Sequence, residues 1–216
     1  MNNVLVWIIY LIIGYLVGSL SFSYIVARLR WKEDIRELGS GNAGASNMTI
    51  NHGWGYGVLV FILDFLKIFL LVKFFDKFPY VSNLPGEQVL LLKLCVGLMV
   101  VIGHVYPFWL KFRGGKGTAS AIGLGFGLST NLGLIGLATV ILVTAISGYV
   151  ALGGILLWLS LAIGSWFIFK NAIVTILLLI FTLFSAYLHR VNLGRILKGE
   201  ETSLKMKFDD EDKKKK

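Results

Sequence analysis

From Ala119 to Ile168 the chain is an almost uninterrupted run of apolar residues. A helix needs about 20 apolar residues to cross a bilayer, so this run is too long for two upright helices with no turns. Breaks at Ser129-Thr130-Asn131 and Ser147-Gly148 divide it into one short helix and two longer ones. A soluble fold has no interior for such a run. The whole chain of 216 residues is 56% hydrophobic and only 15% charged, with a mean hydropathy of +0.76, more apolar surface than a soluble domain of this size can hide. The expectation is an all-α integral membrane protein. Further spans are read at Val4 to Ala27, at about Trp54 to Phe75, at about Gln88 to Leu110, and from Ala172 to about Leu188. With the divided run, that makes about seven transmembrane helices, the fourth being the short one.

Lysine and arginine near helix ends set the orientation. The first loop (Arg28, Arg30, Lys32, Arg36), the loop with Lys111, Arg113 and Lys116, and the C-terminal tail are the cytoplasmic candidates. The other loops carry only Lys73, Lys77, Lys93 and Lys170 near their edges. Alternation then places the N-terminus outside and the C-terminus in the cytoplasm. Met-Asn-Asn has no basic n-region, and the apolar run behind it is too long for a cleaved signal. Residues 1–202 read as one polytopic domain and 203–216 as a charged cytoplasmic tail near an anionic leaflet. The single Cys95 excludes a disulfide framework. Long apolar runs argue against a nucleic-acid partner.

Two loops on the expected cytoplasmic side carry candidate chemistry. In the first, Gly39-Ser40-Gly41-Asn42-Ala43-Gly44-Ala45-Ser46-Asn47 offers small residues and polar side chains on a backbone that a ligand can approach closely. A flexible linker has similar composition, but Leu38, Ala43, Ala45 and Met48 do not suit a water-exposed one. In the second, Lys111, Arg113 and Lys116 fall within six residues, and Gly114-Gly115-Lys116-Gly117 leads into the next apolar run. Glycines that let N–H groups converge, followed by a helix start and flanked by cations, suit a phosphate. The spacing is not that of a nucleotide-binding P-loop. Taken alone, the loop is equally a basic hairpin between membrane helices. Asp64 and Lys67, three residues apart inside a span, share a helix face. Charged residues at that depth face the bundle interior or a polar cavity, as a structural ion pair or as support for a site. His52, His104 and His189 show no metal-ligand spacing, so neither a metal nor an organic cofactor is expected. No histidine is followed by an acid five positions on, which excludes the His-x4-Asp dyad of many acyltransferases.

Together these stretches resemble the seven-helix bacterial acyl-phosphate:glycerol-3-phosphate acyltransferases. Gly39-Ser40-Gly41-Asn42-x-Gly44-Ala45-Ser46-Asn47 is similar to that family's first motif, with Ser46 where Thr is usual. Asp64-Phe65-Leu66-Lys67 resembles its Asp-x-x-Lys helix. The stretch from Gly103-His104 through Phe112-Arg113-Gly114-Gly115-Lys116-Gly117 resembles its second motif, and His189-Arg190-x-Asn192-x-x-Arg195-x-x-x-Gly199-Glu200 its third. The likeness runs from about residue 4 to 202 with the motifs in order. It implies transfer of a fatty acyl group from acyl-phosphate to the 1-hydroxyl of glycerol 3-phosphate, giving lysophosphatidate and phosphate at the cytoplasmic face of a bacterial cytoplasmic membrane. His189, Asn192 and Ser40 become the catalytic candidates. Gly39, Gly41, Asn42, Asn47, Arg113, Gly114, Gly115, Lys116 and Gly117 become phosphate-binding candidates. Asp64, Lys67, His104, Arg195 and Glu200 become their supports. The partners implied are the two substrates, the bilayer, and a soluble acyltransferase that makes acyl-phosphate.

Two stretches, at Ile50 and at Gly148 with Ala151, depart from the family pattern. Ile50 stands where an arginine is usual three residues after the first motif's last Asn, and Gly148-Tyr149-Val150-Ala151 stands where Arg-Tyr-x-Ser is usual. A lost guanidinium is a lost bidentate phosphate contact. The alternatives are therefore an acyltransferase of this fold with another acceptor, a weakly active paralogue, or a lipid or anion transporter. No convincing internal repeat favours the transporter.

Overall fold

The computed structural model describes residues 3–201; the charged tail expected from 203 onward lies outside them. Among the described residues there is no strand, and the regular elements are ten α-helices with a few 3₁₀ turns. In chain order they are α1 (Asn3–Gly18), α2 (Phe22–Trp31), α3 (Ala45–His52), α4 (Trp54–Lys73), α5 (Gly86–Val105), α6 (Thr118–Leu128), α7 (Thr130–Ser147), α8 (Val150–Phe169), α9 (Ala172–Leu188) and α10 (Arg190–Leu197). Among the described residues, four stretches are long and apolar enough to cross a bilayer: Val4–Trp31, Gly86–Leu110, Thr130–Ser147 and Val150–Phe169. The pair α9 and α10, bent by 59° at its junction, makes up to five. The breaks expected near Ser129 and Ser147 fall where α6 gives way to α7 and α7 to α8.

The chain divides into two compact units at Gly133/Leu134. In the first, α1 packs along α5 and α4 along α6. The α1–α5 crossing is close enough to need glycine. A β-carbon on Gly18 would overlap the Val100 carbonyl, and one on Gly103 would overlap the Tyr15 carbonyl. Backbone cannot yield as a side chain does, so neither position accepts even a methyl group without separating the helices.

One expectation needs correction. The first apolar stretch is not one continuous helix from Val4 to Ala27. It stops at Gly18 and restarts at Phe22, running on to Trp31. Ser19 competes for a backbone partner at the break: its Oγ donates to the Leu16 carbonyl at 2.8 Å. A broken helix in an apolar medium must find partners for its freed carbonyls. They come from distant side chains. Lys67 Nζ donates to Gly18 O at 3.2 Å and Leu20 O at 2.9 Å, and Trp109 Nε1 donates to Ser19 O at 2.7 Å. The long first loop also holds a helix, α3, that its Gly, Ser and Asn content had disguised. Its base is a buried cluster of Ala27, Ile35, Ala43, Met48 and Val60.

In the second unit α8 and α9 form an antiparallel hairpin through Lys170 and Asn171. Lys170 ends α8 at φ 51°, and Asn171 Oδ1 caps α9 by accepting from Val174 N at 3.1 Å. Trp158 and Phe181 fill the hairpin core, their ring centroids 5.2 Å apart.

Candidate active site

The first loop is built from inside. Asn47 is buried, and its polar atoms are spent on the loop: Nδ2 donates to Ile35 O at 2.8 Å and Leu38 O at 3.0 Å, while Oδ1 accepts from Ser40 N at 2.9 Å and Asn51 Nδ2 at 3.0 Å. These four contacts exhaust its two donors and two acceptor sites. Asn47, expected among the phosphate ligands, instead holds the loop's shape. Gly39, at φ +53°, leaves room for that carboxamide, since a β-carbon there would press on Asn47 Oδ1 and Asn51 Nδ2. Ser40 and Ser46 are exposed, and Asn42 is half-buried.

A second clamp was not legible in the sequence, where Arg36 counted only as a cytoplasmic charge. Asp34 Oδ1 accepts from Arg36 N at 3.0 Å and Nε at 2.9 Å, and its Oδ2 pairs with Nη2 at 2.6 Å. Arg36 Nη1 reaches the Leu110 carbonyl at 2.6 Å and so ties the two loops together. The Arg36 hydrogen bond holds the Asp34 carboxyl below its usual range, against a smaller opposing effect of burial. A carboxyl depressed on folding adds stability above its unfolded value near pH 4 and loses it as pH falls through the lower folded value. Amide exchange across residues 34–44, corrected for intrinsic rate, is expected to hold steady from pH 7 to about 5 and to rise only below about 4. A rise near neutrality would assign the clamp to another group.

The second loop leaves α5 at His104 and turns through Lys111 and Phe112, both in the left-handed region at φ 55° and 57°. Its glycines close back onto the end of α5: Gly114 N donates to Val105 O at 2.9 Å, and Gly115 N to His104 O at 3.0 Å. Those two N–H groups are committed, so the Gly114–Gly115 backbone is a strut and not the anion's donor set. The candidate donors lie one step on. Gly117, at φ 81°, precedes α6, whose opening N–H groups lack intrahelical acceptors and carry no side-chain cap. α3 starts after Gly44 in the same uncapped way. Ala43 N donates to Gly114 O at 3.2 Å, which joins the two loops. Two uncapped helix starts thus flank one seam, with Arg113 exposed and Lys116 half-buried on the second loop. That is an electropositive seat for an anion.

Below the seam the first unit brings together three residues that the sequence had kept apart. Lys67 Nζ lies 2.7 Å from Asp64 Oδ1 and 3.1 Å from His104 Nδ1, all three side chains almost wholly buried. The Asp64–Lys67 pair was expected from its spacing. His104 was not, because nothing local joins it to α4.

In the second unit, His189 is buried at the α9–α10 bend, with Nδ1 2.9 Å from Ser185 O. Ser185 Oγ in turn donates to Gly154 O at 3.3 Å, tying α9 to α8. Asn192 Nδ2 donates to Glu201 Oε1 at 2.6 Å, and Glu200 N to Arg195 O at 2.8 Å. Arg195 and Glu200 are exposed. Of the departures, Ile50 is exposed on α3, Gly148 ends α7 at φ 82°, and Ala151 is buried in the first turn of α8.

The glycerol-3-phosphate acyltransferase family model matches residues 8–199. This chain belongs to that family. A glycerol-3-phosphate acyltransferase of Endomicrobium trichonymphae is 38% identical over 202 residues, covering 94% of this chain and 98% of its own. One from Staphylococcus carnosus (strain TM300) is 36% identical over 198 residues, covering 92% and 98%. Among solved structures, the integral membrane glycerol 3-phosphate acyltransferase PlsY (YgiH), in its glycerol 3-phosphate form, is similar with a TM-score of 0.81 and 32% identity, covering 92% of this chain and 95% of that one. Its lysophosphatidic acid form is similar with a TM-score of 0.78. Like that relative, this acyltransferase-family chain is a helical integral membrane protein.

Proposed function

We propose that this protein transfers a fatty acyl group from acyl-phosphate to the 1-hydroxyl of glycerol 3-phosphate, forming 1-acyl-glycerol 3-phosphate and inorganic phosphate. The observation that carries the chemistry is the seam of two glycine loops, each opening into an uncapped helix start. Both substrates present phosphate, and this seam suits one. The donor is already activated, so binding and charge neutralisation suffice without a covalent acyl-enzyme. In this reading Lys116, Arg113 and the first turn of α6 hold phosphate, and Ser40 and Asn42 line the pocket shaped by Asn47. The hydroxyl oxygen attacks the acyl carbonyl carbon, the bond from that carbon to the phosphate oxygen breaks, and phosphate leaves with the electron pair. His189 and Asn192, by their residue types, are the candidates to take the hydroxyl proton and to orient the hydroxyl.

The same reading carries the topology: seven crossings of a bacterial cytoplasmic membrane, N-terminus outside, with both glycine loops and the C-terminus in the cytoplasm. Residues 1–202 then form the catalytic domain and 203–216 a charged tail. The exposed cation Lys111 suits docking of a soluble enzyme that makes acyl-phosphate. Ile50 and Ala151 favour a second reading, in which the chemistry is retained and the acceptor differs. Ile50 offers no guanidinium to an acceptor phosphate, and Ala151 no hydroxyl.

The deciding experiment measures phosphate release from palmitoyl-phosphate by the purified protein, with and without glycerol 3-phosphate. Acceptor-dependent release is expected, and Lys116→Ala is expected to lower its kcat/KM by about ten- to hundredfold through loss of a charged phosphate contact. Release that responds to another acceptor would favour the second reading. No acceptor response above the variant's level would overturn both.

A further inference from the structure

Four acceptors surround Lys67 Nζ: Asp64 Oδ1 at 2.7 Å, Leu20 O at 2.9 Å, His104 Nδ1 at 3.1 Å and Gly18 O at 3.2 Å. An ammonium has three hydrogens for these four atoms: Asp64 Oδ1 and Leu20 O, the two nearest, take two, and Nδ1 of His104 at 3.1 Å accepts the third, which Gly18 O at 3.2 Å shares. The approach of Nδ1 to Asp64 Oδ1, at 3.4 Å, is the longer of its two polar contacts. A neutral imidazole that accepts at Nδ1 carries its proton at Nε2. That nitrogen stands where a side chain of Gly115 would be, and a β-carbon there would overlap Nε2, Cε1 and Cδ2 of the ring. The Gly115 N–H is meanwhile held by the His104 carbonyl at 3.0 Å. One residue grips the glycine before Lys116 with both backbone and ring.

We propose that His104 is a ligand-binding residue of the anion site, donating its Nε2–H to a phosphate oxygen seated at the Gly114–Gly117 loop, and that Lys67 is the positioning residue that fixes its tautomer. Identity of the physiological anion rests on the acyltransferase reading. Donation to phosphate does not. Asp64 then has a defined task. It balances the Lys67 charge so that the ammonium can occupy a buried site at all. The same ammonium closes the α1–α2 break, so the seat of His104 and the geometry of the broken first span are set by one group. Gly115 is glycine because the ring needs its space.

The test begins with the unmodified protein. Its histidines number three, so ¹⁵N-histidine labelling gives a short set of imidazole resonances, and His104→Gln assigns the one in question. The expected result is an Nε2-protonated, Nδ1-unprotonated His104 whose Nε2–H resonance moves on titration with inorganic phosphate. A proton at Nδ1, or an Nε2–H unmoved at high phosphate, overturns the proposal. Kinetics supply an independent arm. A glutamine amide reaches close to the Nε2 position, whereas asparagine stops near Nδ1. His104→Asn is expected to raise the KM for palmitoyl-phosphate about ten- to hundredfold with little change in kcat, and His104→Gln to recover it to within about threefold. Equal losses in the two variants would mark a packing role and overturn the assignment. The two readings fail separately: phosphate-shifted His104 without acyl transfer would sink the enzyme reading alone, and normal acyl transfer with an Nδ1-protonated His104 would sink this one alone.

Discussion

Replacing His189 with alanine is expected to slow single-turnover acyl transfer by about a hundred- to ten-thousandfold, the usual range for a general base, while substrate affinity stays within a few-fold. The geometry supports this. His189 Nδ1 lies 2.9 Å from the Ser185 carbonyl, which only accepts, so Nδ1 carries the proton and Nε2 the lone pair that a base uses. This is the opposite tautomer from the one inferred for His104. Ser185 is itself tied through its hydroxyl to Gly154, so α8 and α9 together set the ring's position. The informative companion is His189→Gln, which fills the space but has no basic nitrogen. A fall as deep as that of alanine supports proton abstraction. Near-complete recovery in the glutamine variant would show that His189 only orients the hydroxyl. A rise in KM with an unchanged single-turnover rate would move His189 out of the chemistry and into binding.

Asn47→Asp is expected to cost about 3–5 kcal/mol of stability, although it exchanges only one atom type. Nδ2 gives its two hydrogens to Ile35 O and Leu38 O. An aspartate oxygen in the same place would face both carbonyls without a proton, and the site is buried enough that water cannot compensate. For a chain of this length the cost corresponds to a melting temperature lower by about 10 °C, read from tryptophan fluorescence in detergent. The measurement also separates two roles. A phosphate ligand changed to aspartate would raise KM by charge repulsion and leave the melt unchanged. A melt that stays put while KM climbs would return Asn47 to the ligand set.

Much of the fold follows from local patterning. Apolar runs of membrane-crossing length, punctuated by Ser-Thr-Asn and Ser-Gly, located α6, α7, α8 and α9 to within a few residues, because runs of that length in lipid have to be helical. Three ordered motifs were enough to identify the family, since each lies within one short stretch of the chain. The break in the first helix is another matter. Ser19, Ser21 and Ser23 were visible, but serines alone do not decide whether a span bends. What decides is whether donors arrive for the carbonyls the break releases, and those donors are Lys67 and Trp109.

The site divides along the same line. Residue types and their order point to phosphate chemistry at Gly39–Asn47 and Gly114–Gly117 as the proposed site, because glycine, small polar residues and cations suit an anion whatever the surroundings. Which atoms are available was set by tertiary contacts. The Gly114 and Gly115 N–H groups are taken by the end of α5, and the Asn47 carboxamide by its own loop. His104 meets the Asp64–Lys67 pair only because folding sets the end of α5 beside α4. By itself the sequence determined a helical membrane protein of this acyltransferase family and pointed to the two glycine loops as its candidate anion site. The tertiary structure decided which donors remain for a ligand and which hold the scaffold, because hydrogen-bonding capacity is finite and only the folded loops show how it is allocated.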